Sequence, residues 1–273
     1  MINFASMIKE MRYWKWQLLL LAGLFLSLLM YGIAGMVEFI PHGWWYAAAS
    51  LAVSVVMVLV YSRFVCLFEN ENAHDLPMDK LSTDTGKGLA VGLVYFCVVT
   101  GIMALAGGYK VISVGAPAGA LIWAFCNFAV TAVGEEIVFR GVLFRWIDEK
   151  WGFLWALVVS GLVFGLVHWT NPGGTLWAGI AIAIEAGLLL GAAYKWSGNL
   201  WFPIGIHWAW NFSQGNLFGF KVSGQDAGVS LLQAQIEGPD WITGGVFGAE
   251  ASVIAVVVGA VVSAWFIYRI YNR

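Results

Sequence analysis

The chain has 273 residues, 60% of them apolar and only 11% charged, with a formal net charge of −2. A soluble domain carries about 25% charged residues, so this composition excludes one of any size and points to a protein embedded in a bilayer. The near-neutral charge offers nothing to nucleic acid, and three cysteines, Cys66, Cys97 and Cys126, exclude a disulfide framework.

Crossing the hydrocarbon takes about 20 helical residues. That criterion places spans near 17–37, 44–68, 87–107, 117–140, 153–170, 175–195, 200–219 and 249–269. The fold class is thus all-α, a polytopic transmembrane helical bundle with about eight spans. The run from Leu18 to Val37 is too long for a signal-peptide core and reads as a retained first span. Glu69–Gly86, with Pro77 and a Ser-Thr-Asp-Thr-Gly run, is the main polar connector, and Asn171-Pro172-Gly173-Gly174 is a tight turn. Lys221–Gly248 is a longer loop, with a short helix expected near Ser230–Ile236. No internal repeat is visible. Residues 1–115 form a three-span region, 116–220 carry the motifs and 221–273 hold a loop and the final span, all within one integral membrane domain.

Basic residues set the orientation. With the amino terminus inside, Lys9, Arg12, Lys15, Arg63, Lys80, Lys87, Arg140, Arg145, Lys150, Lys195, Arg269 and Arg273 fall on or near the cytoplasmic side. Only Lys110 and Lys221 fall outside. Both termini are expected in the cytoplasm. Tryptophans near the proposed span ends, Trp14, Trp16, Trp44, Trp45, Trp146, Trp151, Trp169, Trp177, Trp196 and Trp201, fit interfacial belts.

Against this apolar background the ionisable residues stand out. A charge in hydrocarbon costs at least ~2.5–3.5 kcal/mol, so one found there is a candidate functional group. Glu135, Glu136 and Arg140 lie together in the fourth span; Phe164 and His168 are four apart in the fifth, and His207 and Asn211 four apart in the seventh. Residues four apart share a helix face, so Glu136 pairs with Arg140, while Glu135 diverges and is left free for chemistry. Histidine relays or orients a proton, and the Asn amide can hold an oxyanion. Those are the parts needed to hydrolyse a peptide without a covalent nucleophile. His42 and His74, in connectors, receive no role. Glu185, mid-span, is expected either to pair with a cation or to line the cavity, and Gly187-x3-Gly191 to make a close helix contact.

Taken in order, Glu135-Glu136-x3-Arg140, Phe164-x3-His168 and His207-x3-Asn211 resemble the three-motif signature of the CPBP family, the CAAX protease and bacteriocin-processing (Abi) proteins that include type II CAAX prenyl endopeptidases. The resemblance covers roughly Ala116–Phe220 and implies an intramembrane glutamic endopeptidase with an eight-helix core. By that resemblance Glu135 and His168 activate water, His207 and Asn211 form the oxyanion site, and Glu136, Arg140 and Phe164 give structural support. The implied substrate is a membrane-associated peptide or protein, prenylated or not, in a multi-pass protein of a prokaryotic cell membrane. No cofactor is expected, with zinc on Glu135, His168 and His207 as the minority alternative. From other classes, a proton-coupled transporter and a non-catalytic membrane immunity or partner protein remain open. Helix rise, counted from Arg145, Gly152 and Asn199, puts Glu135 ~15 Å, His168 ~24 Å and His207 ~12 Å deep, which sets the second motif about two turns too far out.

Overall fold

A computed structural model of the chain describes residues 4–37, 39–69 and 74–272, with the side chains of 21–37, 39–67 and 74–272. The expectations for Lys9, Arg12, Trp14, Lys15, Trp16 and Arg273 therefore concern side chains outside the described residues. The helices are α1 (Phe4–Val37), α2 (Trp44–Glu69), α3 (Leu81–Leu105), α4 (Ala118–Glu136), α5 (Arg145–Trp151), α6 (Phe153–Trp169), α7 (Leu176–Ile182), α8 (Leu189–Ser197), α9 (Trp201–Phe212), the single turn α10 (Asp240–Thr243) and α11 (Val253–Tyr271). Wide π-helical turns at Ile137–Phe144 and Ala183–Leu188 join α4 to α5 and α7 to α8, and a third, Ser213–Leu217, extends α9.

The all-α class holds. Among the described residues, five stretches are long and apolar enough to cross a membrane: Trp44–Leu67, Met78–Leu105, Ala118–Trp151, Leu176–Ser197 and Val253–Tyr271. Phe153–Trp169 is a shorter apolar helix, and the expected count of about eight spans is not confirmed. The reason is physical: α6 has 17 residues, about 25 Å of helix against a core of about 30 Å, and the α9 segment is diluted by its polar residues. Leu154, Val158, Leu162 and Leu166 form an exposed stripe along α6, a side suited to lipid tails. Leu176–Ser197 is the most enclosed of the five, with 72% of its window buried, and Val253–Tyr271 the least, with 22%.

Two expectations need correction. Ser230–Ile236 is not helical: β2 (Leu232–Ile236) pairs antiparallel with β1 (Tyr109–Val114), from Tyr109 opposite Ile236 to Val114 opposite Leu232. Leu232, Ala234 and Ile236 alternate with exposed residues, a period of two that a pairing partner 120 residues away converts to strand. Trp146 and Trp201 are not interfacial either; both are buried, Trp146 against Phe64 and Trp201 with its indole N–H donated to the Pro77 carbonyl at 3.0 Å.

The turns end as their residues dictate. Gly152 (φ 89°) stops α5, Gly198 (φ 69°) stops α8, and the Thr175 and Ser252 hydroxyls cap α7 and α11. Gly173 (φ 71°) makes the expected turn after Asn171, with the Gly174 N–H donated to the Asn171 carbonyl at 2.8 Å. At the basic end of the bundle, Asp75 accepts from Tyr61 at 2.6 Å, Asn199 donates to Asp84 at 2.9 Å, and Lys195 pairs with Asp148 at 2.6 Å. Burial pushes the Asp75 carboxyl up from its ordinary range, while Tyr61 and Arg145 pull it back.

Helix depth is set by backbone-to-backbone contact. A methyl group on Gly88 would run into the Phe202 carbonyl, and one on Gly92 into the Ile206 carbonyl, so α3 and α9 touch without intervening side chains. In the same way Gly165 faces the Gly179 carbonyl, and Gly187 lies over Gly161, the close contact expected of Gly187. Gly92→Val should destabilise the protein by about 1–3 kcal/mol, read as a lower thermal midpoint in detergent. Gly101→Ala, on the same helix with nothing within 4 Å, should leave the midpoint unchanged.

Candidate active site

Glu135 and Glu136 end α4, just before its first wide turn. Glu136 and Arg140 are wholly buried and paired, Nη1 to Oε1, at 2.8 Å. The same Oε1 accepts from His207 Nδ1 at 2.8 Å, so the glutamate that the sequence pairs with arginine also orients the third motif's histidine. Arg140 is held from three further sides. Its Nη2 donates to the Ala186 and Gly187 carbonyls at 3.2 and 3.3 Å, and its guanidinium lies 4.6 Å from the Phe164 ring centre. Those carbonyls belong to the second π turn, whose wide pitch leaves them free to accept a side-chain donor.

Phe164 also touches Phe139 edge-on and supports both His168 and His207. Its carbonyl lies 2.8 Å from His168 Nδ1. A carbonyl only accepts, so Nδ1 carries a proton. The two free imidazole nitrogens converge on the second carboxylate. Glu135 Oε2 is 3.8 Å from His168 Nε2 and 3.9 Å from His207 Nε2. These separations exceed a direct hydrogen bond. Oε2 has no hydrogen-bond partner. Asn211, one turn beyond His207, is buried on the wall of the same cavity, which has a volume of about 710 Å³.

The three motifs thus meet, and the apparent depth mismatch disappears. Helix α5 continues to Trp151, about 9 Å of rise beyond Arg145, so Glu135 lies deeper than a count from Arg145 suggests. Asn199 and Leu200 are fully buried, so α9 starts inside the bundle rather than at its surface.

Other residues at the cavity are not apparent from the motifs. Glu250, before α11, lines it and accepts from Trp210 at 3.2 Å and from the Ser223 N–H at 2.7 Å. Burial pushes this carboxyl up, and the neighbouring His168 with the Ser223 and Gln214 hydrogen bonds pulls it partly back. A carboxylate at the start of an apolar run is the signal that points to it. His42, assigned no role above, lies on the rim; His74 does not line the cavity. Glu185 neither pairs with a cation nor lines the cavity: it is buried beneath Gly259 and accepts from the Tyr95 hydroxyl at 3.1 Å.

Residues 117–213, spanning α4 to α9 and containing all three motifs, match the family model for type II CAAX prenyl endopeptidase Rce1-like. This match, over about a third of the chain, supports an integral membrane protease of the CAAX type, acting on a peptide or protein. No curated protein and no solved structure matches the chain.

Arg140→Met leaves Glu136 buried with its guanidinium partner gone and should destabilise the protein by about 3–5 kcal/mol. The Arg140→Met/Glu136→Met pair should recover part of that loss in denaturant titration.

Proposed function

We propose that the protein is a glutamic endopeptidase in which Glu135 activates water for attack on a peptide bond. The observation that carries this reading is the approach of the Glu135 carboxylate to both imidazole Nε2 atoms, at 3.8 and 3.9 Å, on the wall of one cavity. Glu135 takes a proton from water as the oxygen attacks the scissile carbonyl carbon. His168, with Nδ1–H fixed on the Phe164 carbonyl, accepts a hydrogen bond at Nε2 from the second water O–H, which stays on the oxygen, and so aims the lone pair. The tetrahedral oxyanion receives hydrogen bonds from the Asn211 amide and from His207 in its doubly protonated form, whose charge Glu136 offsets. Glu135 then returns its proton to the departing amine as the C–N bond breaks. In this account Arg140 and Phe164 hold the groups in place without touching the substrate.

A zinc-dependent variant would use Glu135, His168 and His207 as ligands. Among the described residues no group of three His, Cys, Asp or Glu side chains is arranged to hold a metal. Both termini in the cytoplasm of a prokaryotic cell complete the proposal.

Glu135→Gln keeps the shape and removes the base, so cleavage should fall by about 10²–10⁴-fold while the thermal midpoint holds. Asn211→Ala should cost about 10²–10³-fold, mainly in kcat. Activity unchanged by a strong zinc chelator is the expected result; its loss on chelation and return on adding zinc would overturn the glutamic mechanism.

A further inference from the structure

The cavity has a direction. Its rim is built by His42 and Tyr46 at the start of α2, Trp123 at the start of α4, Asn171 after α6, and the loop from Val222 to Val229. All of these lie at one end of the bundle. Trp44 against Trp123, Trp177 bonded to the Ala251 carbonyl, and Gly224 pressed on the Pro172 carbonyl tie that end together. No residue from the opposite end lines the cavity, where Tyr61, Asp75, Asn199 and Lys195 make the polar ties already described.

Basic residues divide sharply between these ends. The connectors on the cavity side, 38–43, 106–117, 170–175 and 218–252, contain only Lys110 and Lys221. Arg63, Lys80, Arg145, Lys150, Lys195 and Arg269 lie at or near the other end. Positive charge in short loops marks the cytoplasmic side, so the cavity mouth faces away from the cytoplasm. The wall is also one-sided in charge: Glu135, Asp226 and Glu250 line it, and no lysine or arginine does. A free carboxylate would meet repulsion there, whereas a neutral or cationic segment would not.

We infer that the substrate is an internal, neutral or cationic segment of a polypeptide presented from the extracytoplasmic face, not the free carboxyl terminus of a cytosolic prenylated protein. The inference rests on the protease reading and deepens it. Two experiments separate their failures. With the exposed Cys66 and Cys97 replaced by alanine, rim variants Asp226→Cys and Gln225→Cys should react with a membrane-impermeant maleimide in intact cells, and Lys150→Cys should lose that labelling until the cells are permeabilised. The reverse pattern overturns the inference. Terminal proteomics of cells carrying the native protein or Glu135→Gln should show that the termini lost in the variant map to extracytoplasmic segments away from carboxyl ends. Loss of cleavage at cytosolic carboxyl termini also overturns it. Identical termini in both strains would overturn the hydrolytic reading beneath it, with the labelling pattern still deciding sidedness.

Discussion

A single carboxylate oxygen, Glu136 Oε1, holds a guanidinium on one side and an imidazole on the other, each at 2.8 Å. Water does not reach this point, since Glu136 and Arg140 are wholly buried. Each partner therefore compensates for desolvation that the others could not bear alone. The contact joins α9 to the wide turn after α4, and Arg140 extends it to the carbonyls of the turn after α7. Three elements that bear chemistry, or support it, are locked to one another by charge rather than by packing alone. With Glu136 committed in this way, the neighbouring Glu135 is the carboxylate turned to the cavity.

Backbone geometry cooperates with that lock. Wide turns follow Glu135-Glu136, contain Glu185, and begin just after Asn211. An α-helix offers its interior carbonyls only to its own amides; a π turn disturbs that order. Gly141 uses the freedom to accept from Tyr61 at 3.0 Å and from Arg145 at 2.8 Å, as Ala186 and Gly187 use it to accept from Arg140. Regular helices on the same axes would bury arginine with fewer acceptors.

The sequence makes local pairings legible and long-range ones obscure. Spacing of four places Glu136 beside Arg140 and sets His207 with Asn211 on one face, because both relations lie within a single helix. The bond from Glu136 to His207 crosses 71 positions and leaves no trace in periodicity. Strands β1 and β2, read as loop and helix, need one another to exist. Glu250 belongs to no motif, and its place at the cavity follows from how the 218–252 connector folds back over the bundle. Depth is misjudged because the count from Arg145 takes that residue as a helix end, whereas the helix continues to Trp151.

The rim of the cavity lies at one end of the bundle, Leu190 lines its wall, and the buried Tyr61–Asp75 pair sits at the opposite end, outside the lining. A wet chamber open at both ends would be a channel, and a carboxylate flanked by two imidazoles would be a good proton wire inside it. With its rim at one end, a hydrolase can keep water deep in a membrane without discharging the ion gradient that the membrane maintains.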